Sequence, residues 1–161
     1  MLTMIAAMLM QPVAADTTLT MHGMGGFRIG ATTATLRRLG ARRPVPPEEP
    51  GGCHYWNIPS RPDVLLMVVD DELVRIDIRS RRYRTATGAR IGMREAEVKR
   101  LYGARLIIEP HPYTGPEGHY LVVRQPRSIS GLIFETDARS GRVLSMRAGI
   151  WENVQWIEGC S

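Results

Sequence analysis

The stretch FRIGATTATLRRLG at residues 27–40 returns in related form as ARIGMREAEVKRLYG at residues 89–103. The tripeptide Arg-Ile-Gly and the apolar positions after it align in the two copies at one constant spacing. In each copy a glycine, Gly30 or Gly92, permits an unusual backbone angle immediately before a run of helix-forming residues. The repeated phrase therefore predicts a turn and a short helix at the start of each of two related units.

Two pairs of strand-like segments follow the predicted helices. The first pair is VLLMVV at 64–69 with LVRIDI at 73–78, and the second is GLIFET at 131–136 with RVLSMR at 142–147. Turn-forming residues separate the members of each pair, which favours hairpins. With one aromatic-rich strand before each pair, each unit reads as a helix plus about three antiparallel strands. Because neither unit alone buries both of its faces, we expect an α+β fold in which two tandem repeats pack as one structure.

The chain is divided by this pattern into three parts. Residues 1–15 are uncharged, largely apolar and end in small residues, which is typical of a secretory signal peptide and too short for a membrane-spanning helix. Repeat 1 then covers residues 16–84, and repeat 2, with a C-terminal tail, covers residues 85–161. We therefore predict a periplasmic or secreted protein with no transmembrane segment.

Cys53 and Cys160 are the only cysteines of the sequence. In an exported chain two cysteines most simply form one disulfide, and the absence of a CxxC spacing gives no support to a redox pair. We expect VQWIEGC at 154–160 to be a final strand or an extended tail. This segment then carries Cys160 back to the first half of the chain.

The net charge of +5 comes from 21 basic and 16 acidic residues. A basic balance suits nucleic acid, anionic lipid or an acidic protein partner, and export disfavours nucleic acid. The densest basic cluster, RSRRYR at 79–84, has the residues to clamp phosphates or carboxylates. We interpret it instead as a solvated loop between the repeats, and GMGGFRIG at 23–30 as a flexible mature N-terminus.

The duplicated Arg-Ile-Gly phrase, followed by spaced apolar residues and a β-meander, resembles the tandem repeat of the β-lactamase inhibitory protein superfamily. The same unit, used once, is similar to that of small outer-membrane assembly lipoproteins. Later motifs such as HPY, GHYLVV and FETD also resemble those of uncharacterised bacterial secreted proteins. The residues that carry the repeat are Ile29, Gly30, Leu36, Leu39, Ile91, Gly92, Val98 and Leu101. The resemblance implies a non-enzymatic protein that presents a sheet and loops to another protein.

The segment 109–120 holds the most suggestive chemistry. Glu109, His111, Glu117 and His119 supply the imidazoles and carboxylates that ligate zinc or act as general acid and base. Prolines and glycines separate them, so a contact loop and structural packing are equally open interpretations. A serine hydrolase elbow, a phosphate-binding loop, an HExxH motif and a dinucleotide fingerprint are absent from the sequence.

The function predicted from these patterns is binding without turnover, as a protein inhibitor or an envelope-associated interaction module. No cofactor and no metal are expected, and the expected partner is another envelope or secreted protein. The predicted contact residues are His111, Tyr113, His119, Tyr55 and Trp56. Trp151 and Trp156 are further anchors if exposed. The alternative is a metal-dependent hydrolase that uses His111, His119 and Glu109 of the loop at 109–120.

Overall fold

The computed structural model describes residues 17–44 and 51–160, and their strands form two sheets. The strands of the larger sheet are β4 (Cys53–Ile58), β5 (Arg61–Val69), β6 (Glu72–Ile78), β8 (Leu106–Pro110), β9 (His119–Arg124), β10 (Ser130–Thr136) and β11 (Val143–Ile150). Those of the smaller sheet are β1 (Thr18–Thr20), β2 (Gly23–Met24), β3 (Phe27–Arg28) and β7 (Arg84–Thr85). The α-helices are α1 (Thr33–Arg38), α2 (Glu95–Tyr102) and α3 (Trp151–Val154), and a 3₁₀ turn covers Gly103–Arg105.

The larger sheet has seven strands in the order β4-β5-β6-β11-β10-β9-β8. Every neighbouring pair is antiparallel, and β6 and β11 join the two halves at the centre of the sheet. The smaller sheet has the order β3-β2-β1-β7, in which β1 and β7 are parallel. The predicted strand pairs at 64–78 and 131–147 therefore form hairpins of one sheet.

The expected α+β fold, with two repeats of a helix and a three-stranded sheet, is wrong. The protein is mostly β: the three described α-helices have six, eight and four residues, whereas the sheets have four and seven strands. The glycine-rich segment expected to be a flexible N-terminus supplies β2 and β3. Gly23 permits this tight hairpin, because a Cβ atom there would lie 2.2 Å from the carbonyl oxygen of Phe27.

The two faces of the larger sheet differ in character. One face, called the core face, carries buried apolar side chains such as Leu66, Ile76 and Phe134, which pack on the smaller sheet, α1 and α2. The opposite face, called the tail face, carries Arg75 and Arg147, and is covered in part by α3 and the chain after it. This two-sided coverage follows from the alternation of side chains along each strand.

The C-terminal segment is not a strand. Helix α3 ends at Val154, and residues 155–160, called the tail, run without regular structure to Cys160. The predicted disulfide between Cys53 and Cys160 is confirmed. The tail is thus attached covalently to β4.

Three other predictions concern the signal peptide, membrane spans and the basic cluster. The predicted signal peptide at residues 1–15 lies outside the described residues. Within them, no helix is long and apolar enough to cross a membrane. In the cluster at 79–84 the arginines are exposed while Tyr83 is buried, so this segment is anchored by its ring.

The centre of the larger sheet depends on a glycine. Gly149 of β11 has a φ of +151°, and a Cβ atom there would lie 2.1 Å from the carbonyl oxygen of Val74. We expect Gly149→Ala to lower the free energy of unfolding by about 3 kcal/mol, because the backbone of β6 must move. Urea unfolding of the oxidised protein measures this change.

The matched control for this substitution is Gly141→Ala. Gly141 also has a positive φ, of +60°, but its Cβ would meet nothing within 4 Å. Gly141→Ala is therefore expected to lower the free energy of unfolding by about 1 kcal/mol, which is the cost of the backbone conformation alone. Equal losses at the two positions would show that the close approach between β6 and β11 is not what requires Gly149.

Candidate binding cleft on the tail face

Arg75 of β6 fixes the tail to the sheet. Its side chain is 3% exposed, and its Nε lies 2.8 Å from the carboxylate of Asp77. Nη2 donates to the hydroxyl oxygen of Tyr55 at 2.7 Å. Nη1 donates to the backbone carbonyls of Asn153 at 2.9 Å and Trp156 at 2.8 Å. A charge that would be costly to bury alone thus gains partners from two strands, from α3 and from the tail.

Arg147 of β11 holds α3 in the same way. Its Nε donates to the carbonyl of Val154 at 2.7 Å, and its Nη1 lies 3.5 Å from the carboxylate of Glu135. The guanidinium also stacks over the ring of Tyr120, 4.8 Å from the ring centroid. Two buried arginines therefore position the segment that runs from α3 into the tail.

His111 organises the loop at 111–118, next to the tail. Its Nδ1 accepts hydrogen bonds from the backbone N–H groups of Tyr113 at 3.1 Å and Thr114 at 3.2 Å. Nδ1 is therefore the unprotonated nitrogen, and Nε2 carries its proton toward the carboxylate of Glu135, 3.3 Å away. The ring also meets Tyr120 edge-on at 4.6 Å between centroids. The His111 side chain is 6% exposed, so it stabilises the loop from a buried position.

Tyr113 links this loop to the tail. Its side chain is 66% exposed, and its hydroxyl donates to the carboxylate of Glu158. This hydrogen bond is the main reason that the pKa of the Tyr113 hydroxyl is raised above its usual value. The ring is therefore presented to solvent in a fixed position.

An open cleft, called the tail cleft, lies between these elements. It is lined by Cys53, Tyr113 and residues 155–160, and its volume is about 640 Å³. Trp156 is 36% exposed and Ile157 is 38% exposed. Large apolar side chains from the loop at 111–118 and from the tail thus line one opening. The disulfide and the buried arginines hold the backbone of the tail in place.

Tyr55 lies beneath the tail cleft. Its hydroxyl accepts from Arg75, and its ring packs on Gly159, where a Cβ atom would lie 2.4 Å from that hydroxyl oxygen. Burial, and then the charge of Asp77, raise the pKa of Tyr55. Tyr55 therefore supports the tail, and the neighbouring Trp56 points to the core face. Trp56 is 2% exposed and lies under the guanidinium of Arg37 at 5.0 Å.

The structure does not bring the two loop histidines together. His119 sits one residue before Tyr120 on β9, so its side chain lies on the other side of the sheet from His111. Its Nδ1 lies 2.6 Å from the carboxylate of Glu95 in α2. Glu109 is exposed on β8. Across residues 17–44 and 51–160, no group of three potential metal ligands occurs.

Four residues of this site were not predicted from the sequence: Arg75, Arg147, Ile157 and Glu158. For the arginines a signal exists, since each lies between apolar residues of a strand, Val74 and Ile76 in LVRIDI and Met146 and Ala148 in VLSMRAGI. A cation in the middle of such a strand must find partners from another segment. No comparable signal marks Glu158, because its role depends on a loop 45 residues away.

Comparison with known proteins gives a fold relationship. No family model and no curated protein match this chain. It is similar to the 1.5 Å crystal structure of an extracellular protein containing a SCP domain from Bacillus anthracis str. Ames, with a TM-score of 0.51 and 13% identity. The match covers 77% of this chain and 44% of that one, so this chain spans less than half of its length. The disulfide fits a secreted or periplasmic protein, and at this identity the likeness shows a shared fold alone.

Proposed function

We propose that this chain is an exported, non-enzymatic binding protein that holds a partner protein at the tail cleft. The observation that carries the proposal is the joint exposure of Tyr113, Trp156 and Ile157 around one opening. Aromatic side chains in such positions supply much of the binding energy of protein interfaces. The partner presents an apolar side chain to the cleft.

The rigidity of the cleft supports a binding role. The tail is fixed by Cys160 at its end, by Arg75 at the Trp156 carbonyl, and by Glu158 at the Tyr113 hydroxyl. A surface that is already ordered loses less conformational entropy when a partner binds. The same side chains on a mobile tail would bind more weakly.

The shape of the cleft favours a protein over a small molecule. Small-molecule sites usually bury most of the ligand in an enclosed hollow. The tail cleft is instead a wide opening, and the apolar groups that line it are exposed to solvent. We place the partner among envelope or secreted proteins, because the disulfide favours export. The chain then acts as an inhibitor-like or envelope-associated module.

No described contact favours the alternative of a metal-dependent hydrolase at residues 109–120. His111 uses both ring nitrogens within the fold, and His119 is engaged with Glu95 on the other side of the sheet. Substituting His111 would therefore disturb the loop itself. The binding role is the one that the arrangement of this loop supports.

Photo-crosslinking tests the proposal in the full oxidised chain. A crosslinking phenylalanine analogue at Trp156 is expected to form one saturable adduct with a protein of the source bacterium's envelope or culture fluid. The matched control position is Ile129, which is 77% exposed and does not line the cleft. Equal labelling from both positions would refute the cleft as the contact surface.

Alanine substitutions then test the same contact by affinity. Tyr113→Ala and Trp156→Ala are each expected to weaken binding of the crosslinked partner by about 2 kcal/mol, the scale of an interface hot spot. Ile129→Ala is expected to leave the affinity unchanged. A partner that binds all three variants equally would contradict the proposal.

A further inference from the structure

A smaller cavity lies on the core-face side of the larger sheet. It lies between two groups of elements. Strand β1, helix α2 and the turn after β7 form one side, and strands β9 and β10 form the other. Its volume is about 150 Å³. The apolar side chains of its lining are Leu19, Met21, Ala86, Tyr102, Val123 and Leu132. Cavities of about this volume with apolar walls hold a molecule the size of benzene.

The hydroxyl groups of Thr85, Thr87 and Tyr102 in the cavity wall already have partners. The Tyr102 hydroxyl donates to Thr85 Oγ1 at 2.9 Å, and the Thr85 and Thr87 hydroxyls lie 3.0 Å apart. The backbone N–H of Ala89 also donates to Thr85 Oγ1, at 3.1 Å. These groups therefore need no hydrogen bond from a ligand, and the wall suits an apolar body.

A cation stands at this cavity. Arg105 lines it, with the guanidinium carbon 5.6 Å from the centroid of the Tyr102 ring and with Nε donating to the Tyr102 carbonyl at 3.4 Å. No carboxylate among the described residues forms an ion pair with it within 4.0 Å. Arg124 also lines the cavity, but its guanidinium stacks over Trp151 at 4.8 Å. Arg105 is therefore the cation that is open to a ligand.

We propose that this cavity binds a small carboxylate whose apolar body of about six non-hydrogen atoms fills the hollow while its carboxylate group meets Arg105. The site is independent of the tail cleft, because Val123 and Leu132 belong to the core face whereas Arg75 and Arg147 belong to the tail face. Failure of one site therefore leaves the other intact.

The probe is hexanoate, titrated into the full oxidised chain and followed by NMR of the methyl groups of Leu19, Met21, Val123 and Leu132. These methyl signals are expected to shift in a saturable manner. Affinity is expected to rise about fourfold for each methylene added from butanoate to hexanoate. Beyond heptanoate, whose alkyl chain has six carbons, the affinity is expected to level off, because the cavity is full. Absence of shifts at these methyl groups would overturn the proposal.

Charge is tested with matched six-carbon probes. Hexanoate is expected to bind up to about fivefold more tightly than hexan-1-ol, the scale of a partly exposed ion pair, and hexylammonium to bind more weakly than either. Arg105→Gln is expected to remove the preference for hexanoate while leaving the affinity for hexan-1-ol unchanged. Arg139→Gln, in a different turn, retains the preference. Equal binding of hexanoate and hexylammonium would overturn the assignment of Arg105.

Shape is tested by filling the cavity from its rim. Ala86 is exposed and lines the cavity, so Ala86→Leu is expected to abolish binding of both hexanoate and hexan-1-ol without touching the core. Ala138→Leu, in the turn between β10 and β11, is the matched control and retains binding. Hexanoate that binds the Ala86→Leu variant as well as the parent would place the ligand elsewhere and overturn the proposal.

Discussion

Reduction of the Cys53–Cys160 disulfide is expected to lower the free energy of unfolding by about 4 to 5 kcal/mol. The bond joins residues 107 positions apart, so it removes more chain entropy from the unfolded state than a short loop would. Urea unfolding of the full chain with and without dithiothreitol measures the difference. The midpoint is expected to fall strongly on reduction.

The double variant Cys53→Ala with Cys160→Ala is the control for the reductant. It is expected to match the reduced parent, and dithiothreitol is expected to leave it unchanged. A stability loss below about 1 kcal/mol on reduction would mean that residual structure in the unfolded state already restricts the chain without the disulfide. That outcome would contradict the loop-closure account of this bond.

Local patterns predicted the local parts of the fold. The helices α1 and α2 follow Gly30 and Gly92 as the repeated phrase indicates, and the turn-separated strand pairs form hairpins. Each of these features is decided within a few residues by turn chemistry and periodicity. The disulfide was predictable because the chain contains two cysteines.

The smaller sheet was not predictable in the same way. Strands β2, β3 and β7 have two residues each, which is too short for a period-two pattern to appear. Strand β1 pairs with β7 in parallel across more than sixty intervening residues, with Leu19 beside Thr85. Such pairing depends on how the whole chain packs, so the local glycine signal was interpreted as flexibility.

The predicted contact residues do not share one surface of the protein, because residues close in sequence were assumed to lie on the same side. Tyr55 and Trp56 are neighbours in sequence, but they lie on opposite faces of β4, and only Tyr55 reaches the tail. His111 lies just after β8 and contacts Tyr120, whose side chain lies on the opposite face of β9 from that of His119. For Tyr55 and Trp56 the period of two along a strand is sufficient to place the two side chains on different faces, whereas the position of His111 depends on the conformation of the loop that it begins.

Substitution of Arg75, whose guanidinium is buried, is expected to have the second large effect on stability. Arg75→Met is expected to lower the free energy of unfolding by about 3 to 5 kcal/mol, because the Asp77 carboxylate loses its paired charge. The carbonyls of Asn153 and Trp156 and the Tyr55 hydroxyl lose their donor in the same step. Urea unfolding of the oxidised variant measures the loss, and Arg79→Met, at an exposed position just after β6, is the control.

A double-mutant cycle separates the contribution of the Asp77 ion pair from that of the hydrogen bonds to the two backbone carbonyls. Removing both members of a buried ion pair can restore stability when hydrophobic groups replace them. At Arg75 the recovery is incomplete, since two of its acceptors are backbone carbonyls that no substitution removes. Asp77→Asn is therefore expected to recover only part of the loss in Arg75→Met. Full recovery would mean that the Asp77 pair alone stabilises this site, and that the two carbonyl bonds do not hold the tail.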